Sequence, residues 1–460
     1  MAPQPFAEPA LTGLRDSLAG EAITPDDAGY DEARALFNAM IDRRPSVIVQ
    51  CESAADVATA IRFARDHDLE LAVRGGGHGV AGAATTDGGL VIDLRRMHAV
   101  AVDPDARTAR VGGGATMSDL DRATQPYSLA TTGGRASTTG LGGFTLGGGS
   151  GWLERKFGLA CDNLVAVDLV TADGAEVHAS EEENPELFWA LHGGGGNFGV
   201  ATSLTLRLHP LPAMSVAFLF FPAERGAEVL PVYRDLLESA PDGMGGGFIC
   251  LTGPPEDFMP EHLVGRAVAL ALVTYTGTEP ELRRAVAPLL GLGHEAEVLR
   301  ELPYAELQCM IDDPPGLRNY WSAEYLTALP DPAVDVFCAR TDSMIVPSNS
   351  QHILFPMGGA MSRGDPGWPL PWRTAEWVLH PFGIWEDPAD DERGRRWVHD
   401  ARADVMPWSI GQVYLNFIGD EGRERVVAGF GAENYRRLAA VKAAYDPDNV
   451  FRLNHNIKPG

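Results

Sequence analysis

The sequence predicts an α+β protein. An α/β unit over residues 1–210 precedes an antiparallel-sheet unit over 211–410, and a closing segment over 411–460 returns to the first unit. Three observations carry this. Glycines cluster at 75–89, 112–114, 133–151 and 193–199, between strand-like apolar runs. After Leu208-His209-Pro210-Leu211-Pro212 the pattern turns to alternating runs such as Val268-Ala269-Leu270-Ala271-Leu272-Val273 and His352-Ile353-Leu354-Phe355, with Trp- and Pro-rich loops. The closing segment then reads strand, helix and turn, through Val413-Tyr414-Leu415-Asn416-Phe417 and Asp446-Pro447-Asp448-Asn449.

In chain order, a helix is expected from Ser53 to His67. Ser53 can cap it, Asp56 falls three residues on, and Val57, Ile61 and Ala64 repeat at helical spacing. Leu69–Val73 reads as a strand running into Arg74-Gly75-Gly76-Gly77-His78-Gly79, and Leu90–Leu94 and Leu164–Val170 read as further strands. Asn184–Leu191 reads as a helix and Val200–Leu208 as a strand. Between them lies Gly194-x-Gly196-x-x-Gly199, a formal dinucleotide fingerprint in helix-then-strand order, whereas a Rossmann site needs strand then helix.

Of 460 residues, 45% are hydrophobic and 22% charged, the balance of a soluble globular protein. The net charge of −26 repels phosphate backbones and anionic lipid, so neither nucleic acid nor membrane is an expected partner. Five scattered cysteines without a Cys-x-x-Cys pair suit reduced thiols. The N-terminal stretch Met1–Glu8 lacks a basic region and an apolar core, and the expected location is cytoplasmic.

Three successive glycines strip every Cβ from the turn before His78. The backbone there can approach a bulky anion and aim successive N–H groups at it. No Lys-Ser pair follows, so this is not a nucleotide-hydrolase phosphate loop. The second cluster, residues 131–151, holds nine glycines in 21 residues, interleaved with Ser and Thr hydroxyls that suit phosphate and ribitol groups. His67, His98, His178, His192 and His399 show no metal-ligand spacing, and no metal is expected. His352, on an alternating strand, faces either substrate or core.

Together these residues resemble the flavin-linked oxidases related to berberine bridge enzyme, within the vanillyl-alcohol-oxidase-type flavoprotein superfamily. The resemblance rests on Arg74-Gly-Gly-Gly-His78, Gly140-Leu-Gly-Gly143, Gly147-Gly-Gly149 and Asp162-Asn163-Leu164. It also rests on Leu187-Phe188-Trp189-Ala190 with Gly193–Val200, on Tyr414-Leu-Asn416-Phe417, and on Tyr445 to Ile457. It covers about residues 40–210 and 410–460 specifically and the middle only loosely. It implies an FAD-binding part in two subdomains, interrupted by a substrate domain that lays its sheet over the flavin ring. His78 maps onto the histidine that bonds covalently to the flavin 8α-methyl carbon. The cofactor contacts implied are Arg74, Gly75, Gly76, Gly77, His78, Gly79, Gly134, Ser137, Thr138, Gly140, Gly143, Gly148, Gly151, Gly199, Val200, Asn416, Asn454 and Asn456.

The chain departs from the family pattern at three places. Ala136 stands where bicovalent relatives carry a cysteine, so a second tether is not expected. Thr139 stands where many relatives place a valine or leucine controlling oxygen access. Phe417 replaces a late tyrosine, so the base must come from elsewhere. The expectation is an FAD-dependent oxidase that takes hydride from a small organic molecule and is reoxidised by dioxygen. The aromatic, Pro-rich stretch 310–385 suits an aromatic or polyketide-like substrate, with sugars and alcohols left open. Tyr414, on an extended segment with Asn416, is the expected acid–base residue, its pKa lowered by neighbours. Thr139 is assigned to oxygen reactivity, and Tyr320, Glu324 and His352 are fallback bases. A flavin monooxygenase, or a non-catalytic flavin-binding scaffold, is the alternative.

Overall fold

The computed structural model describes residues 7–460; Met1–Phe6, part of the N-terminal reading, lie outside the described residues. Three main sheets organise the chain. The first has four strands in the order Glu21–Ile23, Val47–Gln50, Leu90–Asp93, Leu71–Arg74. Its last three strands run parallel, so the chain leaves Arg74 at the same edge as Asp93. The helix Ala54–Asp66 crosses between parallel strands, as expected. Ser53 Oγ accepts from the Asp56 N–H at 3.2 Å, and Asp56 in turn accepts from the N–H groups of Ala19 and Glu52, both at 2.9 Å.

The second sheet is antiparallel, in the order Val100–Asp103, Thr108–Gly112, Val200–Arg207, Leu164–Val170, Glu176–Ser180. The helix Pro185–Ala190 precedes the glycine run and the strand Val200–Arg207 follows it, an order no Rossmann site has.

The third sheet begins at Met214 and has eight strands, all antiparallel. At its centre, Met244–Thr252 pairs with Gln351–Pro356, which pairs with Trp377–Trp385. One face packs under the helices Gly226–Glu238 and Asp331–Thr341 through Phe248, Leu354, Trp377 and Leu379. By the two-residue period of strands, Ile249, Gln351, Ile353, Phe355, His380 and Phe382 fall on the other face.

One expectation fails here, and one reading left open is decided. Val413–Phe417 is not a strand: Tyr414 is extended, but Leu415–Phe417 is a 3₁₀ turn. The reason is local, because the Asn416 amide donates to the Tyr414 hydroxyl at 2.8 Å and to the carbonyls of Gly143 and Phe144 at 3.2 and 3.3 Å, folding the segment back. His352, which could have faced substrate or core, lies on the helix side of its strand, its ring stacked on Phe337 with centroids 4.1 Å apart. The closing helix Ala432–Tyr445 is anchored by Lys442, wholly buried. Its ammonium donates to Asp446 at 2.6 Å, to the Asn197 carbonyl at 2.7 Å and to the Phe451 carbonyl at 2.8 Å. That network holds residues 451–455 beside the glycine run at 193–199.

Candidate active site

A cavity of about 390 Å³ opens where the three sheets meet. Its first wall is backbone. Gly75–Gly79 leave the end of the strand Leu71–Arg74, and Gly134, Thr139, Gly140 and Gly143 come from the second glycine cluster. Gly76 and Gly140 press main chain to main chain: a Cβ on either would overlap backbone atoms of the other. Among the described residues, the N–H groups of Gly75, Gly76, Gly77 and Gly79 donate to no protein acceptor, and a Cβ on Gly79 or Gly143 would meet only open space. Unpaired donors beside space suit an anionic, phosphate-bearing ligand.

His78 lines this wall. Its ring stacks on Phe37 with centroids 4.0 Å apart, and its buried Nε2 has no protein partner. Burial lowers its pKa to about 4, so the imidazole is neutral near pH 7 and keeps a free nitrogen lone pair.

The opposite wall is the third sheet and the loop before it: Ile249, Gln351, Ile353, Phe355, His380, Phe382, Trp321 and Asp313. His380 is wholly buried, and its ring stacks on Phe417 with centroids 4.0 Å apart. Its Nδ1 lies 2.7 Å from the Ser322 carbonyl, which can only accept, so Nδ1 carries the proton. Nε2 is therefore an acceptor, and it is buried without a partner. Burial lowers the His380 pKa to about 3, keeping the ring neutral.

Tyr414 and Asn416 also line the cavity, brought together by the turn rather than by strand alternation. The Tyr414 hydroxyl accepts from the Gly149 N–H at 2.9 Å and from Asn416. Burial raises its pKa above the ordinary value, the reverse of the lowering expected from sequence, so this phenol holds its proton.

Thirteen of the residues expected at the site from sequence line the cavity: Gly75, Gly76, Gly77, His78, Gly79, Gly134, Thr139, Gly140, Gly143, Gly199, Tyr414, Asn416 and Asn454. Seven do not. Arg74 is buried beneath the loop and donates to the carbonyls of Ala33, Arg34 and Ala84, bracing it. Ser137 gives its N–H and hydroxyl to Asp312 at 2.7 and 2.5 Å, and Thr138 is exposed. Gly148, at φ +126°, makes room for the Tyr414 ring, and the Gly151 N–H donates to Glu154 at 3.0 Å. Val200 packs in the core, and Asn456 stands outside the wall with a buried, unpartnered Oδ1. None of the fallback bases lines the cavity. Tyr320 contacts His399 at 3.1 Å, Glu324 is tied to Arg402 at 3.1 Å, and His352 is in the core.

His380 was missed from sequence. Its signal was alternation within Trp377-Val378-Leu379-His380-Pro381-Phe382, which puts a histidine on the same face as Phe382. Among the described residues, no group of three or more His, Cys, Asp or Glu could hold a metal ion, and no helix is long and apolar enough to cross a membrane.

Residues 45–180 match the FAD binding domain family model, and residues 413–458 match the berberine and berberine-like model. The (R)-6-hydroxynicotine oxidase of Paenarthrobacter nicotinovorans is 33% identical, over 96% of this chain and 97% of its own. A crystal structure of 6-hydroxy-D-nicotine oxidase from Arthrobacter nicotinovorans superposes with a TM-score of 0.84 at 31% identity, over 99% of this chain and 100% of that one. The berberine bridge enzyme-like protein 1 of Physcomitrella patens shares the fold, with a TM-score of 0.85 at 22% identity over 98% of this chain and 99% of its own. The chain belongs to the berberine bridge enzyme-like FAD-linked oxidases of the vanillyl-alcohol-oxidase type. It is an FAD-dependent oxidoreductase, an oxidase acting on a small organic substrate; neither the monooxygenase nor the scaffold alternative is favoured.

Proposed function

We propose that FAD is held covalently through His78 and that His380 takes the substrate proton. When bound, FAD supplies the hydride acceptor and the route of electrons to dioxygen. The observation that carries the reading is one cavity with unpaired glycine N–H groups and a neutral His78 on one wall, and the unpartnered His380 Nε2 on the other. The Ser322 carbonyl fixes the His380 tautomer, so its free nitrogen is an acceptor before substrate arrives. Tyr414, with its proton held and its oxygen accepting from Gly149 and Asn416, orients the turn instead of acting as base. Asn416 ties that turn to the glycine-rich helix Leu141–Leu146, and Thr139, half-buried in the wall, tunes access of dioxygen.

The aromatic and aliphatic wall formed by Trp321, Phe382, Ile249 and Ile353 supports an apolar or aromatic substrate body, as does the likeness to a hydroxynicotine oxidase. Five free cysteines support a reducing, cytoplasmic setting. Acid precipitation tests the attachment. Yellow colour should stay with the polypeptide, and a proteolytic peptide containing His78 should carry one FAD mass. Complete release of flavin by acid overturns covalent linkage. Slow reoxidation of photoreduced protein in air, without hydrogen peroxide, would count against oxidase function.

A further inference from the structure

We infer that Asp313 is the substrate-recognition carboxylate of the cavity and that the substrate it recognises carries a cationic amine. The inference rests on the oxidase reading of the same cavity and adds the charge of its substrate. The ion pairs of the cavity wall point to it. Arg135 is neutralised by Glu154 at 2.9 Å and lies over Phe355, 4.0 Å from the ring centroid. Arg452 pairs with Glu70 at 3.5 Å. Asp312 accepts the N–H and hydroxyl of Ser137.

Asp313 lines the cavity, and its hydrogen-bond partner is the Asn349 amide, a long contact of 3.3 Å. Among the described residues no cation lies within ion-pair distance of it. It shares the lining of that cavity with Ile311, Trp321, Ile353 and Phe382. Asp313 is only partly open to solvent and has no counter-charge, and its carboxyl pKa is pushed up to about 6, by burial and then by Asp312. A bound ammonium supplies the missing counter-charge, and the aromatic faces in the cavity lining add to the attraction for a cation. An uncharged substrate would leave this carboxylate uncompensated in a narrower, drier cavity.

Matched pairs test this: benzylamine with benzyl alcohol, phenethylamine with phenethyl alcohol, and cyclohexylamine with cyclohexanol. Each is titrated anaerobically into the purified holoenzyme at about pH 8, where the amines are cations, following perturbation of the flavin spectrum. The parent should bind the amines about tenfold or more tighter than the alcohols. Asp313→Asn should erase that preference and leave alcohol affinity unchanged, and Asp313→Glu should restore part of it. Equal preference in parent and Asp313→Asn, an equal loss for both members of each pair, or no amine binding to the parent would each overturn the assignment. Failure of the oxidase reading would look different: photoreduced parent would not reoxidise in air with release of hydrogen peroxide, whatever the binding preference.

Discussion

The two walls of the cavity are made of different material. On the wall we assign to the cofactor, backbone meets backbone: Gly76 lies against Gly140, and Gly75 would meet the Gly113 carbonyl 3.2 Å from any added Cβ. On the wall we assign to the substrate, side chains at alternate strand positions face the cavity, with His380 among Ile249, Ile353, Phe355 and Phe382. A wall built from main chain can be altered at few positions without collapse. A wall built from alternating side chains can change its ligand while the sheet, held on its other face by Phe248, Leu354 and Leu379, stays the same. Cofactor binding and substrate choice can therefore change separately.

The largest effect should come from the backbone wall. Gly76→Val puts a branched side chain where Gly140 already stands, so we expect a loss of about 3 kcal/mol or more in stability. Flavin content, read as the visible-to-ultraviolet absorbance ratio, should fall with it; a fully loaded variant of parental melting temperature would show that the loops separate easily.

A smaller effect is expected at the junction of the walls. Tyr414→Phe leaves the buried Gly149 N–H without its acceptor and removes one of the three acceptors of the Asn416 amide, a cost of about 1–3 kcal/mol. Chemical denaturation measures this, and flavin reduction should slow by no more than about tenfold, below the range typical of a lost acid–base group.

Near neutral pH the smallest effect belongs to the helix-covered face. Burial holds the His352 pKa at about 3, so the folded state keeps the ring neutral while the unfolded chain takes up a proton near pH 6.5. Its contribution is fully present above that pH and is lost as pH falls toward about 3. His352→Leu should flatten the acid side of the stability curve in that window and change little at about pH 8. An unchanged slope between about pH 6.5 and 4 would contradict this.

The cofactor wall was legible because its signal is compositional. Glycine runs after a strand report close backbone approach, and Gly75–His78 line the cavity together with Gly140, Gly142 and Gly143. Arg74 and Ser137 belong to the same motifs, yet brace the loops from behind, because adjacency in sequence does not fix which side of a turn a side chain takes. The substrate wall was hard to read. Alternation says that His352 and His380 each lie on a face of the sheet, but which face is covered by helices depends on packing far away in sequence. The late motif misled for another reason: Asn416 bonds back to Tyr414 and turns a segment of strand-like composition into a 3₁₀ turn.

The most direct test compares His380→Gln with Tyr414→Phe by anaerobic stopped-flow reduction of the flavin, using whichever amine or alcohol donor bleaches the parent fastest. Glutamine keeps polarity and bulk but cannot accept the proton. The expected result is a parental flavin content with reduction slowed about 10²–10⁴-fold in His380→Gln, against no more than about tenfold in Tyr414→Phe. Reduction at the parental rate in His380→Gln, with the large loss in Tyr414→Phe instead, would contradict the assignment of the proton acceptor to the substrate wall.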